Sequence, residues 1–568
     1  MLKRIAVIGA CVALLAIPPF ARAEWQVWAV TGTVRARRDT PPGEGRAVRL
    51  SAARDETESF QVLMRADEAV RGIRLEASDL AGPGEAVIPG SEVRLFRQHF
   101  LHLTVPTYRN EAFEPGWYAD ALIPLRHPLT GEPLPEGARF HAVPFDLPAG
   151  ETHGFLVDVH VPADAKPGAY RGTVRVTAEG AEAVEVPVVL TVRGFRLPRV
   201  SALATAFGSP AHRMRGHYRQ RAKAGKEKEP ADWDAVDRQC AAMLTRHRIN
   251  ATPPADLLLP ERGEDGTYRF TDEQVAALRT FVDTYHVNAL SVRRPTSIVK
   301  DPEKEKGKLG AWLSAFDRLA KRLDRPQITF YTYLKDEPND AEAYRFVQQW
   351  GRAVREAGSV VKVLVVEQTW AQKEEWGDLY GAVDIWCALF PLFKVESAVR
   401  RQAKGETVWA YTALCQRDPT PWWHIDFPLL HYRVPAWIAW RYRIRGLLYW
   451  GGLSFWGQVD DPWTQPETLD RRDRGKGQVW NGEGSIVYPG RACGYDGIAP
   501  SLRLKALRDA VEDYECISIL ERAGRAKEAE AVVRPLAGSW FQWDKDPAAY
   551  ERARARLAEM IEAGGERK

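Results

Sequence analysis

From residue 25 to about 195, apolar and polar positions alternate in short runs broken by glycine and proline. Ser59-Phe60-Gln61-Val62-Leu63-Met64 and Phe155-Leu156-Val157-Asp158-Val159-His160-Val161 carry the two-residue period of strands covered on one face. Pro167-Gly168-Ala169-Tyr170 leads into Arg171–Val176, and Val186–Val192 follows the Glu179-Gly180 turn, which is a hairpin pattern. Repeated at this spacing, the pattern predicts a β-sandwich that ends near Arg196-Leu197-Pro198. Beyond about residue 200 the rhythm changes to apolar runs alternating with helical stretches. The expected strands are Ala202–Phe207, Ile249–Thr252, Val287–Val292, Ile328–Leu334, Val361–Glu367, Val383–Leu389, Thr407–Leu414 and Gly446–Tyr449. Helices are expected at Ala231–Thr245, Ala311–Leu323, Ala341–Ala357 and Leu429–Arg443. Eight strands with intervening helices predict a (β/α)8 barrel of TIM type. An open doubly wound sheet fits less well, because no glycine-rich phosphate loop follows any strand. From Ser501 onward Leu504, Leu507, Val511, Tyr514 and Ile519 keep helical spacing, and Tyr550–Ile561 forms another helix. The fold class is therefore multidomain β and α/β, with a sandwich over 24–198, a barrel over 199–500 and a helical extension over 501–568 that packs on the barrel.

The first residues stand apart from this scheme. Lys3 and Arg4 precede the apolar run Ile5–Ile17, and Ala21-Arg22-Ala23 offers a small-x-small cleavage site. This predicts a signal peptide over 1–23, cut after Ala23, and a periplasmic or secreted product. The run is shorter than the ~20 apolar residues of a membrane helix, and no later stretch is longer, so no membrane span is expected. A net charge of +4, without basic stretches interleaved with aromatics, argues against a nucleic-acid partner. Cys240, Cys387, Cys415, Cys493 and Cys516 are far apart, so the expectation is buried thiols with at most one incidental bridge. No motif calls for a cofactor or a metal. Charge-rich stretches at Gly225–Pro230, Lys300–Lys308 and Arg471–Lys476 read as solvated loops. The last follows the eighth strand and would favour an anionic substrate if it borders an active site.

Candidate chemistry centres on Phe330-Tyr331-Thr332-Tyr333-Leu334-Lys335-Asp336-Glu337-Pro338, an aromatic strand that stops at two acids and a proline. At the C-terminal end of a barrel strand both carboxylates would face the mouth where such enzymes work. The plain alternative is that the two acids only start the next helix and complement its dipole. Glycoside cleavage normally uses two carboxylates, an acid and a nucleophile or base. The seventh expected strand, Val408-Trp409-Ala410-Tyr411-Thr412-Ala413-Leu414-Cys415, offers none, and Glu367 is the possible substitute. A missing nucleophile favours a substrate-assisted route, in which a 2-acetamido group attacks its own anomeric carbon. Glu337 would then serve as general acid/base and Asp336 as the partner that orients the acetamido N–H. Twelve of the twenty tryptophans fall between Trp370 and Trp480. Trp437 and Trp440 read as core, whereas Trp450 and Trp456, with Tyr333 and Tyr411, are candidates for substrate contact through their aromatic faces.

With these residues in view, the chain resembles glycoside hydrolase family 123 and its relatives of unknown substrate. The resemblance rests on Asp55-Glu56-Thr57-Glu58-Ser59-Phe60-Gln61 and Pro167-Gly168-x-Tyr170-x-Gly172, then on Tyr333-Leu334-x-Asp336-Glu337-Pro338. It continues through Ile425-Asp426-Phe427-Pro428, Arg433-x-x-x-Trp437-x-x-Trp440, Gly446–Trp450 and Tyr488-Pro489-Gly490. Ser501-Leu502-Arg503-Leu504-x-Ala506-Leu507-Arg508-Asp509 and Glu512-Asp513-Tyr514-Glu515 complete it. What it implies is an exo-acting β-N-acetylgalactosaminidase working by acetamido assistance on a glycan with a terminal 2-acetamido sugar. It also brings Asp426 and Arg433 forward as substrate-binding candidates. Gly451-Gly452-Leu453-Ser454 departs from the family pattern, where an asparagine is expected. Two other readings stay open: a glycosidase of another sugar pairing Glu337 with Glu367, and an inactive carbohydrate-binding surface protein.

Overall fold

The computed structural model describes residues 25–416, 418–456, 459–472 and 477–565. The expected leader and residues 473–476 of the charged loop lie outside them. Among the described residues no helix is long and apolar enough to cross a membrane.

The N-terminal unit is two sheets around one core. Trp25–Thr31, Thr57–Ala66, His153–His160, Val93–Leu103 and Gly116–Pro124 form the first, in that order. Val48–Arg54, Val184–Arg196, Gly168–Thr177, Val70–Ala77 and Phe145–Leu147 run across the second. The expected hairpin pairs Gly168 with Val192 and Val176 with Val184. Alternation explains the layering: Phe60, Val62 and Met64 from one sheet meet Val174, Val186 and Leu190 from the other. The intervening Ser59, Gln61 and Leu63 are buried too, so the Thr57–Ala66 strand is covered on both faces.

The sheet of the second unit is parallel throughout. Its strands are β1 (Ala204–Ala206), β2 (Ala289–Val292), β3 (Thr329–Asp336), β4 (Lys362–Val366), β5 (Ile385–Leu389), β6 (Thr407–Tyr411) and β7 (Ile444–Leu448), in the order β1-β7-β6-β5-β4-β3-β2. This is a nearly closed barrel of seven strands, and the expectation of eight is corrected at Ile249–Thr252. That segment occupies the gap between β1 and β2 without joining the ladder. Pro253 and Pro254 follow it and have no N–H to give. Side chains bridge instead: the Asn250 N–H donates to Thr205 Oγ1 at 2.8 Å, and Asn250 Nδ2 donates to Asn288 Oδ1 at 2.7 Å.

Helices α1 (Pro210–Lys223), α2 (Trp233–Arg246), α3 (Asp272–Tyr285), α4 (Lys306–Leu323), α5 (Ala341–Glu356), α6 (Val395–Gln402) and α7 (Leu430–Arg441) accompany the strands. The tail adds α8 (Leu502–Arg522), α9 (Ala526–Leu536) and α10 (Pro547–Gly565), so three helices stand where two were expected. Helix α8 is buried almost all round, charges included. Arg503 donates to Asp120 at 2.9 Å, Lys505 to Asp158 at 2.6 Å, and Arg508 to Ser59 Oγ at 2.6 Å. Glu512 accepts from Arg248 at 3.0 Å. One helix thereby ties the two-sheet unit to the barrel through paired buried ions, whose rupture leaves a charge without water. Cys240, Cys387, Cys493 and Cys516 are buried thiols outside any disulfide.

Candidate active site

Asp336 is the last residue of β3, and Glu337 follows with φ 37°. A residue before proline is normally extended, so this left-handed turn is costly for a side-chain-bearing residue. It lets the chain curl at the strand end, and both acids stand exposed at the mouth. The helix-start reading is not what the geometry shows: α5 is capped by Asp340, whose carboxylate accepts from the Ala343 N–H at 2.7 Å.

Each acid has its own tyrosine. Tyr333 Oη donates to Asp336 Oδ1 at 2.8 Å, and Tyr411 Oη, from the end of β6, donates to Glu337 Oε1 at 2.6 Å. Burial and the adjoining carboxylate push both phenols far up, so they remain donors at ordinary pH. Glu367 directly follows β4 and is buried. Its oxygens accept from the Gln368 N–H and from the Gln372 side-chain amide, both at 2.7 Å. Burial, helped by the charge of Glu337, raises its carboxyl to about 7 against those two hydrogen bonds.

A cavity of about 1080 Å³, continuous with the gap between β1 and β2, reaches Tyr333, the partner of Asp336. Tyr331, Tyr333, Ser291 and Trp450 line it. Trp450 is half-buried and leans on Phe455 at 4.8 Å between ring centroids. Its indole N–H donates to Glu483, which also accepts from Tyr449 Oη at 3.3 Å and contacts His424 Nε2 at 2.6 Å. Glu483 was not singled out in the sequence. The signal was local: Gly482 and Gly484, at φ 78° and 65°, flank it and turn its side chain inward.

The other candidates lie elsewhere. Trp456 is 1% exposed and donates to the Val487 carbonyl at 2.8 Å, so it is core rather than a sugar platform. Arg433 is buried between α7, α8 and α10, bonded to Asp513 at 2.6 Å and to Glu551, and has no guanidinium to offer a substrate. Asp426 accepts from the Thr107 N–H at 2.8 Å, Thr107 Oγ1 at 2.6 Å and Asn110 Nδ2 at 3.0 Å, which joins its loop to the two-sheet unit. Trp437 and Trp440 are core. Among the described residues no cluster of three or more His, Cys, Asp or Glu could hold a metal.

Adjacent acids at the C-terminal mouth of a parallel barrel, beside an aromatic-lined cavity, have the layout of a glycoside hydrolase. Comparison with known proteins agrees. The family model described as "Glycoside hydrolase 123, catalytic domain" matches residues 298–520, and "Glycoside hydrolase 123 N-terminal domain" matches residues 34–178. Together they take in more than half of the chain, which belongs to glycoside hydrolase family 123. Among solved structures, a family 123 glycoside hydrolase from Clostridium perfringens, described as acting in glycolipid glycan hydrolysis, superposes with a TM-score of 0.63 at 11% identity over 95% of this chain and 98% of that one. A family 5 xyloglucanase from Bacteroides ovatus covers 82% of this chain and 98% of its own at 9% identity, but its TM-score of 0.29 carries no argument. No curated protein matches.

Proposed function

We propose that this glycoside hydrolase is an exported, exo-acting β-N-acetylhexosaminidase, with N-acetylgalactosaminides as the expected substrates, and that it works by acetamido assistance. In this reading Glu337 protonates the leaving glycosidic oxygen while the carbonyl oxygen of the substrate's own 2-acetamido group attacks the anomeric carbon. Asp336 accepts the acetamido N–H and stabilises the positive charge of the resulting oxazoline. Glu337 then takes a proton from the water that opens the ring, so the product keeps its configuration. Tyr411 and Tyr333 hold the two carboxylates apart and aimed, and Trp450 supplies an apolar face for the sugar. Domain limits at 24–198, 199–500 and 501–568, and export through the segment ending at Ala23, belong to the same proposal.

The observation that carries it is the state of Glu367. A buried carboxyl whose two oxygens are both engaged by amides, each at 2.7 Å, is poorly placed to attack a sugar. With Glu367 so engaged and Asp336 assigned to the acetamido N–H, the sugar's own acetamido oxygen is the nucleophile in this reading. Inhibition by a thiazoline analogue of the oxazoline tests this. Competitive inhibition, together with a first-formed product of retained configuration by proton NMR, supports it. Inverted product, or indifference to the thiazoline, overturns it.

A further inference from the structure

A second cleft, of about 380 Å³, lies at the N-terminal end of the barrel strands, where the two-sheet unit, the barrel floor and α8 meet. Six lysine and arginine side chains and four carboxylates line it. Most of these charges are matched: Lys505 and Arg508 with Asp158, Arg248 with Glu512, Arg199 with Asp55. Arg94 and Arg246 are not. Arg94 Nε donates to the Pro128 carbonyl at 3.1 Å, Arg246 donates to the same oxygen, and Arg246 also reaches the Leu129 carbonyl at 2.8 Å. Two guanidiniums on one carbonyl are like charges side by side. Among the described residues neither has a carboxylate within ion-pair distance; Glu92 lines the cleft but lies beyond it.

One further feature fits. Burial, and then the charge of Arg94, lower Arg246 to about 10 against the attraction of Glu92 and Asp158, so the two guanidiniums sharing the Pro128 carbonyl repel each other.

We infer that this cleft binds an oxyanion of the phosphate class between Arg94 and Arg246, across the joint of the two-sheet unit and the barrel. Guanidiniums are suited to bidentate contact with such groups. A ligand of the folded state raises the unfolding temperature in a saturable way.

The test is thermal unfolding of the purified protein in inorganic phosphate, sulfate and chloride at matched ionic strength, for wild type, Arg94→Gln and Arg246→Gln, with aryl glycosidase activity as the check of folding. The expected result is a saturable rise with phosphate and with sulfate beyond chloride, in wild type alone. Without phosphate, each variant should equal or exceed wild type, because the repulsion is relieved, and should fall below it when phosphate is added. Lower stability of both variants in every buffer would show a purely structural role and overturn the proposal. So would identical phosphate and chloride curves. Calorimetric titration of wild type with inorganic phosphate stands independently of the variants, and absence of one-site binding overturns the site. Glycerol phosphate, tested beside the free ion, tells a phosphate carried on a larger molecule from inorganic phosphate.

Discussion

Replacing Glu367 with glutamine separates the two catalytic readings and has a calculable effect on stability. The carboxyl is raised from 4.5 to about 7 by burial and by the charge of Glu337. At ~1.4 kcal/mol per pH unit, the shift corresponds to about 3 kcal/mol. The sign follows from linkage. Below pH 4.5 the residue is protonated in both folded and unfolded chains. Between there and about 7 the folded protein holds a proton that the unfolded chain has released, so this group's contribution to stability declines as pH rises through that window. Glutamine resembles the protonated acid and cannot ionise, and a turn of the Gln372 amide keeps both hydrogen bonds. The difference in unfolding temperature, variant minus wild type, should therefore be near zero at about pH 4 and clearly positive at about pH 8. Activity on an acetamido substrate should stay within about tenfold, less than the ~10²-fold expected when acid–base chemistry is removed. A temperature difference that is flat or falls with pH would refute the electrostatic reasoning. A loss of ~10²-fold or more would make Glu367 part of the chemistry.

Other residues give sharper contrasts. Tyr411→Phe removes the 2.6 Å hydrogen bond to Glu337 and should lower kcat by roughly tenfold or more, as expected for a bond to a charged group, with little change in KM. Trp450→Ala should raise KM for aryl N-acetylhexosaminides by roughly tenfold and leave kcat much closer to wild type, since stacking contributes about 1 kcal/mol or somewhat more. Arg433→Ala removes one partner of the buried Asp513, which keeps Arg554 at 3.3 Å and the Trp437 N–H at 2.8 Å, and should cost about 2–3 kcal/mol of stability. The folded fraction, recovered at low temperature, should keep the wild-type KM, against a substrate-binding role.

The Asp336-Glu337 pair was legible because an apolar aromatic strand ended on it, and strand ends are where a barrel exposes side chains. Its tyrosine partners were half legible. Tyr333 shares the strand of the acids, but Tyr411 reaches Glu337 from a strand 74 positions later, and only the closed sheet brings the two together. Periodicity failed where burial is not apolar. Helix α8 hides Arg503, Lys505, Arg508 and Glu512 because each meets an opposite charge from another part of the chain. The same logic took Arg433 inside. Trp456 could not be told from Trp450 by composition: one lies in the core, while its neighbour is turned toward the cavity by Glu483. Ile249–Thr252 had the apolar character of a strand, yet Asn250 and the two prolines after it make side-chain bridges a better use of that segment than a backbone ladder.

On the proposed mechanism the acetamido group of the substrate does the work of a nucleophile with Asp336 as its partner. The most direct test compares aryl N-acetyl-β-galactosaminide with aryl β-galactoside, for wild type, Glu337→Gln and Asp336→Asn. Turnover of the acetamido sugar alone is expected, with a loss of about 10²-fold or more in each variant. Cleavage of the plain galactoside, or an Asp336→Asn enzyme as fast as wild type, would contradict it.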